Sequence, residues 1–119
     1  MKKSVCALIF RGDKILAVSR KYDKTIFGLV GGKVDDGETI IDALHRETKE
    51  ETGLTITKSS LVFSMEDNNR ISYTFQCEVE GEIYTEEDGI VKELTWEELF
   101  QGPFGDYNRA LYNELNKNK

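Results

Sequence analysis

Proline and linker-like sequence are scarce in this chain. Its one proline, Pro103, lies near the C-terminus, and no repeat, low-complexity tract or Gly/Ser-rich stretch divides the rest of the sequence. A chain of 119 residues can bury one hydrophobic core and is too short for two ordinary domains. We therefore expect residues 1–119 to form a single domain.

Long hydrophobic runs are also absent. The longest apolar stretches, residues 5–10 and 26–30, have the length of strands, far below the roughly 18 residues that a membrane-spanning helix needs. Arg11, Gly12 and Asp13 interrupt the first stretch before the core of a signal peptide could form. The sequence therefore predicts a cytoplasmic protein with no membrane partner.

Cysteine and basic charge are both limited. Cys6 and Cys77 each lie in an apolar, strand-like segment without a Cys or His at metal-ligand spacing, which favours reduced cysteines packed in the core. The 22 acidic and 16 basic side chains give a net charge of −6. This charge disfavours binding of a nucleic-acid polymer, but a small phosphorylated substrate is compatible with it if metal ions neutralise both partners.

Hydrophobic patterning predicts an α/β or α+β chain. Strands are predicted over residues 5–10, 15–19, 25–30, 60–65, 71–79 and 90–95, and helices over residues 40–52 and 106–116. Thr39 with Asp42 three residues later resembles a capping box, and Gly53 is the residue type that most readily ends a helix. A glycine-rich loop over residues 31–37 is predicted between the third strand and the first helix.

Successive residues of a helix are rotated by about 100°, which gives the predicted helix over residues 40–52 one polar face and one apolar face. The residues predicted to face solvent are Asp42, His45, Arg46, Lys49 and Thr52. Those predicted to face the core are Ile40, Ile41, Leu44 and Thr48.

Three glutamates do not fit this division. Glu47, Glu50 and Glu51 stand at i, i+3 and i+4, so they are neighbours on one surface, close to the edge of the apolar face. Their charges repel one another, and the helix dipole disfavours anions near a C-terminus. Divalent cations between them would make the arrangement favourable, since Mg²⁺ prefers oxygen ligands. An exposed, charge-rich helix is the competing interpretation.

The adjacent glycines, Gly31 and Gly32, permit a close approach of backbone to a ligand or metal, although such a pair also suits a plain strand-to-helix turn. Together with the helix they read GGKVDDGETIIDALHRETKEETGL, which resembles the Nudix box over residues 32–54. The matching positions are Gly32, Glu38, Arg46, Glu47, Glu50, Glu51, Gly53 and Leu54. Thr48 departs from the family's bulky aliphatic residue, and its hydroxyl is expected to bond back to the carbonyl near Leu44.

The resemblance implies a Nudix-type α/β/α sandwich with a mixed central sheet, and a Mg²⁺-dependent hydrolase in which Mn²⁺ can substitute. It implies that Glu47, Glu50, Glu51 and the Gly31 carbonyl bind the metal, and that Glu38 and Arg46 orient this catalytic cluster. Glu47 is the preferred general base, although one residue can serve as both base and ligand.

A further acidic metal ligand from outside the box is also expected by resemblance. The run Glu86-Glu87-Asp88 is the best placed, and Glu87 is the residue we assign. A solvated loop is the alternative interpretation of this run.

The expected substrate is a small nucleotide, with Gly32, Lys33, Arg20 and Asn108 assigned to its binding. The chain lacks the proline that ADP-ribose hydrolases of the family carry shortly after the box, which favours a MutT-like nucleoside triphosphate hydrolase. Residues 104–108 align with the corresponding MutT segment and place Asn108 on its purine-reading asparagine, a role that suits an amide. A surface or helix-terminal role is the alternative for Asn108.

The expected reaction is therefore hydrolysis of a nucleoside triphosphate, for example 8-oxo-dGTP, to the monophosphate and pyrophosphate. Trp96, Phe27 and Tyr73 are candidates for stacking on a base, although each also fits a core position. The alternatives are hydrolysis of a dinucleoside polyphosphate or a pyrimidine triphosphate, and a non-catalytic nucleotide-sensing domain. The sequence leaves monomer and homodimer open.

Overall fold

A computed structural model describes residues 1–84 and 89–117. Within this part, the strands are β1 (Lys2–Leu8), β2 (Phe10–Arg11), β3 (Lys14–Ser19), β4 (Phe27–Lys33), β5 (Thr55–Asp67), β6 (Arg70–Glu80) and β7 (Val91–Leu94). The helices are α1 (Ile40–Thr52), α2 (Trp96–Phe100) and α3 (Gly105–Asn116). None of the described helices is long and apolar enough to cross a membrane.

The strands form one mixed sheet in the order β2-β3-β4-β1-β6-β5, and β7 pairs with β3. Strand β1 is central: it runs parallel to β6 and antiparallel to β4. The other neighbouring strands are antiparallel. This arrangement confirms the predicted α+β fold with a mixed sheet, and it places residues from both ends of the chain beside one another.

Two hydrophobic cores lie on opposite faces of the sheet, because successive residues of a strand point to opposite sides. On β1, Val5 and Ala7 pack with Ala43 and Leu44 of α1. Leu8 instead joins a second cluster that contains residues of α2 and α3. The sheet is therefore covered by α1 on one face and by the C-terminal helices on the other.

Helix α1 has the bounds that its capping residues predict. The Thr39 hydroxyl accepts a hydrogen bond of 3.0 Å from the Asp42 amide. At the other end, Gly53 adopts φ 78°, and its amide donates to the Lys49 carbonyl at 2.9 Å. A Cβ atom at Gly53 would also collide with the Tyr84 backbone, so both conformation and space select glycine here.

The predicted faces of α1 are wrong at Ile41 and Thr52. Ile41 is 43% exposed, whereas Thr52 is fully buried. Thr52 is accommodated because its hydroxyl donates to the Thr48 carbonyl at 2.6 Å and accepts from the Leu54 amide at 3.1 Å. A polar side chain whose hydrogen bonds are satisfied locally can face the core, so the helix is rotated relative to the prediction.

Outside α1, the bounds of several strands differ from the prediction, and one further helix is present. Strand β5 begins at Thr55, directly after α1, and not at residue 60. The short helix α2 was not predicted, although its signal is present: Thr95 and Glu98 form a complete capping box.

Thr48, the departure from the family pattern, is fully buried. Its hydroxyl has no hydrogen-bond partner among the described residues, so the bond predicted toward the Leu44 carbonyl is wrong. Thr48 and Thr52 are therefore two buried threonines of one helix. The Thr48 hydroxyl has no hydrogen-bond partner among the described residues, whereas the Thr52 hydroxyl has two.

We expect Thr48→Val to raise the free energy of unfolding by about 1–2 kcal/mol, because it removes a buried hydroxyl without a partner. Thr52→Val should lower it by about 1–2 kcal/mol, since the Leu54 amide then loses its acceptor. Urea denaturation of both variants measures the difference. Equal changes of the same sign would show that the two hydroxyls do not differ in this way.

Candidate active site

Gly31 and Gly32 lie at the end of β4 and not in a loop as predicted. The Gly31 amide donates a 2.7 Å hydrogen bond to Oε1 of Glu51, which fastens the strand to α1. A Cβ atom at Gly31 would collide with the Val5 carbonyl, and one at Gly32 would lie 2.5 Å from Cδ of Glu47. The absence of side chains here leaves room for the glutamate carboxylates beside the strand.

Arg46 connects the acidic residues of the site. Its guanidinium binds Glu38 through two hydrogen bonds, at 2.7 Å from Nε and 2.9 Å from Nη2. Nη1 donates to Glu47 at 2.8 Å and to Glu50 at 3.4 Å. The assignment of Arg46 to an ordinary solvated face is wrong, because its side chain is only 29% exposed and contacts four carboxylates, those of Asp35, Glu38, Glu47 and Glu50.

These contacts fix the charge of the pair formed by Glu38 and Arg46. The hydrogen bonds from Arg46, and then that from the Asp35 amide, lower the pKa of Glu38 to about 2. The same carboxylate raises the pKa of Arg46 above its ordinary value. Both groups are therefore charged at neutral pH, and Arg46 offsets part of the repulsion between the glutamates of α1.

The carboxylates of α1 supply the chemistry that a hard divalent cation requires. Glu47, Glu50 and Glu51 provide oxygen donors, which Mg²⁺ prefers, and the backbone beside Glu47 carries no Cβ at Gly32. Within residues 1–84 and 89–117, no three acidic, His or Cys groups stand close enough together to hold a metal ion. Glu47 contacts Arg46 and Glu51 contacts Gly31, so joint coordination requires their side chains to rotate.

The oxygen donors of Glu47, Glu50 and Glu51 are chemically suited to a divalent cation once these side chains rotate toward it. The fourth proposed acidic ligand, Glu87, and its neighbours Glu86 and Asp88 lie outside the described residues.

A cavity of about 350 Å³ opens beside Gly31 and Gly32. It is bounded by β1, β4 and β6 and by the start of α3. The four residues assigned to substrate binding all line it: Arg20, Gly32, Lys33 and Asn108. The structure thus brings these residues, which are far apart in the sequence, to one site next to the box.

Asn108 is only 1% exposed, so the alternative of a surface polar residue is wrong. It lies in the first turn of α3, and its Nδ2 donates to the Leu99 carbonyl at 3.3 Å. This bond holds the amide at the wall of the cavity. Arg20 lines the same cavity, with its guanidinium carbon 5.0 Å from the centre of the Phe104 ring.

The aromatic residues at the cavity are Phe104 and Tyr107, and the sequence analysis assigned neither of them to stacking on a base. Trp96 and Phe27 pack against one core and Tyr73 against the other, as their alternative interpretation held. The sequence signal that could have indicated Phe104 is Gly28 in β4, because a glycine within a strand often marks a site where another group approaches the backbone closely. A Cβ atom there would lie 3.0 Å from the Phe104 ring.

Further lining residues that the sequence did not predict are Ser4, Cys6, Arg70, Ser72 and Tyr107. Cys77 is a free cysteine of the core, as expected. Cys6 is also free, but it lines the cavity, so core packing alone does not describe it.

This chain is similar to known proteins both in sequence and in structure. An ADP-ribose pyrophosphatase from Methanocaldococcus jannaschii is 41% identical over 86 residues, which cover 66% of this chain and 51% of that protein. The match thus spans about half of the relative's length.

Two solved structures share the fold over nearly the whole chain. A MutT NUDIX hydrolase from Burkholderia pseudomallei has a TM-score of 0.79 at 23% identity, covering 97% of this chain and 98% of that one. An ADP-ribose pyrophosphatase from Streptococcus suis has a TM-score of 0.75 at 21% identity, covering 99% and 92%. The fold is therefore shared by a protein named as a MutT hydrolase and by one named as an ADP-ribose pyrophosphatase.

The family model described as the NUDIX domain matches residues 1–113. Hydrolases of this family act on nucleoside diphosphate derivatives and generally use divalent metal ions. This match covers the sheet, the box and most of α3, and it agrees with the box residues and with the geometry around them. The chain belongs to the Nudix hydrolase family.

Proposed function

We propose that this protein hydrolyses a purine nucleoside triphosphate, such as 8-oxo-dGTP, to the monophosphate and pyrophosphate in the presence of Mg²⁺. One observation supports this most strongly. A single cavity joins Asn108 and Arg20, at its α3 side, to Gly32 and Lys33 beside the box carboxylates. A nucleotide with its base near Asn108 could therefore extend its phosphates toward α1.

Bound at Glu47, Glu50 and Glu51, a divalent cation would polarise phosphoryl oxygens and lower the pKa of an attacking water. Glu47 now contacts Arg46 at 2.8 Å and Glu51 contacts the Gly31 amide at 2.7 Å, and both side chains would rotate from these contacts to share the cation. Lys33 lines the cavity beside them and supplies positive charge for the phosphates.

In the proposed reaction, the oxygen of water bonds to the attacked phosphorus and the bridging phosphorus–oxygen bond breaks. The bridging oxygen leaves with the phosphate group that is not attacked, so attack at either the α- or the β-phosphorus gives the monophosphate and pyrophosphate. Glu47 is our proposed acceptor of the water proton, since it lies directly beside Gly32. Glu50 and Glu51 are proposed as metal ligands.

ADP-ribose is the second candidate substrate, because the M. jannaschii relative is an ADP-ribose pyrophosphatase. The absence of a proline after the box favours a triphosphate as the substrate, whereas similarity to this relative favours ADP-ribose. Chromatographic analysis of products from 8-oxo-dGTP, dGTP, ATP, dCTP and ADP-ribose separates the two. Our proposal predicts that a purine triphosphate has the highest kcat/KM.

Asn108→Ala should reduce the preference for purine over pyrimidine triphosphates by about tenfold, because base groups then lose their hydrogen-bond partner in a buried site. The measurement is the ratio of the kcat/KM values for dGTP and dCTP. Asn116→Ala is a matched control: Asn116 also lies on α3 and also donates to a backbone carbonyl, that of Tyr112 at 2.7 Å. A ratio that is unchanged in Asn108→Ala would show that the base is recognised elsewhere.

A further inference from the structure

Two cations from different strands flank a serine at the cavity. Arg70, the first residue of β6, pairs in register with Lys2 of β1. Two residues farther along β1, Ser4 pairs in register with Lys33 of β4. Register partners, and residues two apart on one strand, point to the same face of a sheet. The side chains of Arg70, Ser4 and Lys33 therefore lie on one face, with Ser4 on the strand between the two cations.

The turn before β6 fixes the position of Arg70. Asn68 and Asn69 both adopt positive φ, 50° and 64°, as the two central residues of a tight hairpin turn require. The Asn69 carbonyl accepts a 3.1 Å hydrogen bond from the Lys2 amide, which joins the turn to β1. Arg70 faces Asp67 of β5 in the ladder, but the hydrogen bond of its guanidinium runs the other way, to β1.

Ser4 holds the Arg70 side chain. Nη1 of Arg70 donates a 2.6 Å hydrogen bond to the Oγ atom of Ser4. Both residues are half-buried and line the cavity. Because Ser4 lies between β6 and β4, this bond directs the guanidinium across β1 toward Lys33.

The cavity collects positive charge in an acidic protein. Arg20, Lys33 and Arg70 line it, whereas no acidic side chain of the described residues does. Among these residues, neither Arg70 nor Lys33 forms an ion pair, and the hydroxyl that Arg70 contacts is neutral. The whole chain carries a net charge of −6, so this group of cations runs against the overall balance. Arginine and lysine held together in this way are suited to a phosphate.

Strand β4 runs along the cavity and gives its parts an order. Gly28, near the start of the strand, lies against the Phe104 ring, at the end assigned to the base. Gly32, near the end of the strand, lies against Glu47 of the box, and Lys33 follows directly. Five residues separate Gly28 from Lys33, which corresponds to about 17 Å at about 3.3 Å per residue. The base end, the box carboxylates and the cations therefore follow one another along β4.

Arg70 and Lys33 stand at the boundary of the cavity. Both also line a neighbouring cavity of about 370 Å³, which contains the start of β1 and the segment before α1. The opposite part of the first cavity, at Leu29 and Phe104, is apolar. A phosphate chain that starts at a base beside Phe104 and passes the box carboxylates would therefore end between these two cations.

We propose that Arg70, positioned by Ser4, and Lys33 bind the terminal phosphate of the nucleotide, so that the enzyme selects triphosphates over diphosphates. This inference rests on the proposed function, because it requires the base to lie at the α3 side of the cavity. A diphosphate with its base in the same place is one phosphate too short to reach both cations. ADP-ribose presents a neutral sugar at this position, which leaves the two charges unpaired.

The experiment compares dGTP with dGDP, which differ only in the terminal phosphate. With Mg²⁺, the wild-type protein should show a kcat/KM for dGTP about thirtyfold or more above that for dGDP. Arg70→Gln keeps most of the side-chain length and removes the charge, and it should lower this ratio by about tenfold, since hydrogen bonds to charged groups are the strong ones. The change should appear mainly in KM, because the terminal phosphate is bound in the ground state as well as in the transition state.

Two further substitutions separate the role of this arginine from a general effect of charge. Ser4→Ala removes the hydroxyl that holds the guanidinium and should lower the ratio by about threefold, whereas Ser4→Thr keeps the hydroxyl and should restore it. Arg109→Gln removes the same charge from an exposed position of α3 outside the cavity lining, where the guanidinium carbon lies 4.4 Å from the centre of the Phe100 ring. It should leave the ratio unchanged.

Three results would overturn the inference. These are a wild-type ratio near one, a ratio that is unchanged in Arg70→Gln, and an equal fall of the ratio in Arg109→Gln. Each ratio is measured within one preparation, so it is independent of the fraction of folded enzyme.

Equilibrium binding distinguishes this inference from the proposed function. Calorimetry in EDTA gives the affinities of dGTP and dGDP for the wild-type protein and for Arg70→Gln without turnover. If no triphosphate is hydrolysed with Mg²⁺, the proposed function fails, but tighter binding of dGTP than of dGDP that is lost in Arg70→Gln would still support the phosphate subsite. Equal binding of dGTP and dGDP by the wild-type protein would overturn it.

Discussion

Glu51→Gln should lower kcat by about a thousandfold at saturating Mg²⁺ while the protein stays folded, since several kcal/mol of transition-state charge stabilisation depend on the metal. The glutamine carbonyl can still accept the hydrogen bond that the Gly31 amide gives to Glu51 at 2.7 Å, so the contact between β4 and α1 is retained. What is lost is the negative charge available to a cation. Steady-state kinetics and a thermal melt of the same preparation measure the two effects.

The control for this substitution is Glu78→Gln, at an exposed position of β6. It removes one negative charge from the protein and should leave kcat unchanged. Without metal, Glu51→Gln should be as stable as the wild type or more so, because one of several neighbouring like charges is removed. A Glu51→Gln enzyme with ordinary activity would contradict the assignment of Glu51 to the metal site.

Gly32→Ala should lower kcat by about a hundredfold, because displacing a catalytic group by about 1 Å is sufficient for a loss of this size. The added methyl group would lie 2.5 Å from Cδ of Glu47 and force its carboxylate away from β4. The φ angle of Gly32 lies outside the left-handed region, so alanine introduces the methyl group without backbone strain.

Gly102→Ala is the matched control for Gly32→Ala. A Cβ atom there would meet the Phe27 carbonyl at 3.4 Å, an ordinary contact, and the φ angle of Gly102 is also outside the left-handed region. Its kcat should be that of the wild type. If Gly32→Ala were equally active, the position of the Glu47 carboxylate beside β4 would not matter for the reaction.

Local sequence signals predicted the ends of α1 better than they predicted which of its faces is buried. Thr39 and Gly53 determine the ends of the helix through contacts within a few residues, so its bounds agree with the structure. The direction in which the helix faces depends on packing against β1 and β4. Assigning polar residues outward placed Thr52 in solvent and Ile41 in the core, whereas the local hydrogen bonds of Thr52 permit its burial.

The candidate site was predictable where its residues are contiguous. The box named the carboxylates and Arg46 from their spacing, but not that Arg46 contacts Glu38, Glu47 and Glu50 together. That cluster forms because the segment before α1 brings Glu38 onto Arg46 of the helix.

The cavity could be predicted only in part, because its walls come from distant segments. Asn108 was found through the resemblance of a short tail segment. Cys6 and Tyr107 gave no signal, since β1 and α3 are brought together by the pairing of β1 with β6 and by the packing of α3 on the sheet.

Product analysis with purified protein tests the central proposal most directly. The protein would be incubated with Mg²⁺ and either 8-oxo-dGTP, dGTP or ADP-ribose, and the products identified by chromatography and a pyrophosphate assay. We predict that the purine triphosphates yield monophosphate and pyrophosphate in a one-to-one ratio, with a higher kcat/KM than ADP-ribose. Hydrolysis of ADP-ribose without release of pyrophosphate from any triphosphate would contradict the account.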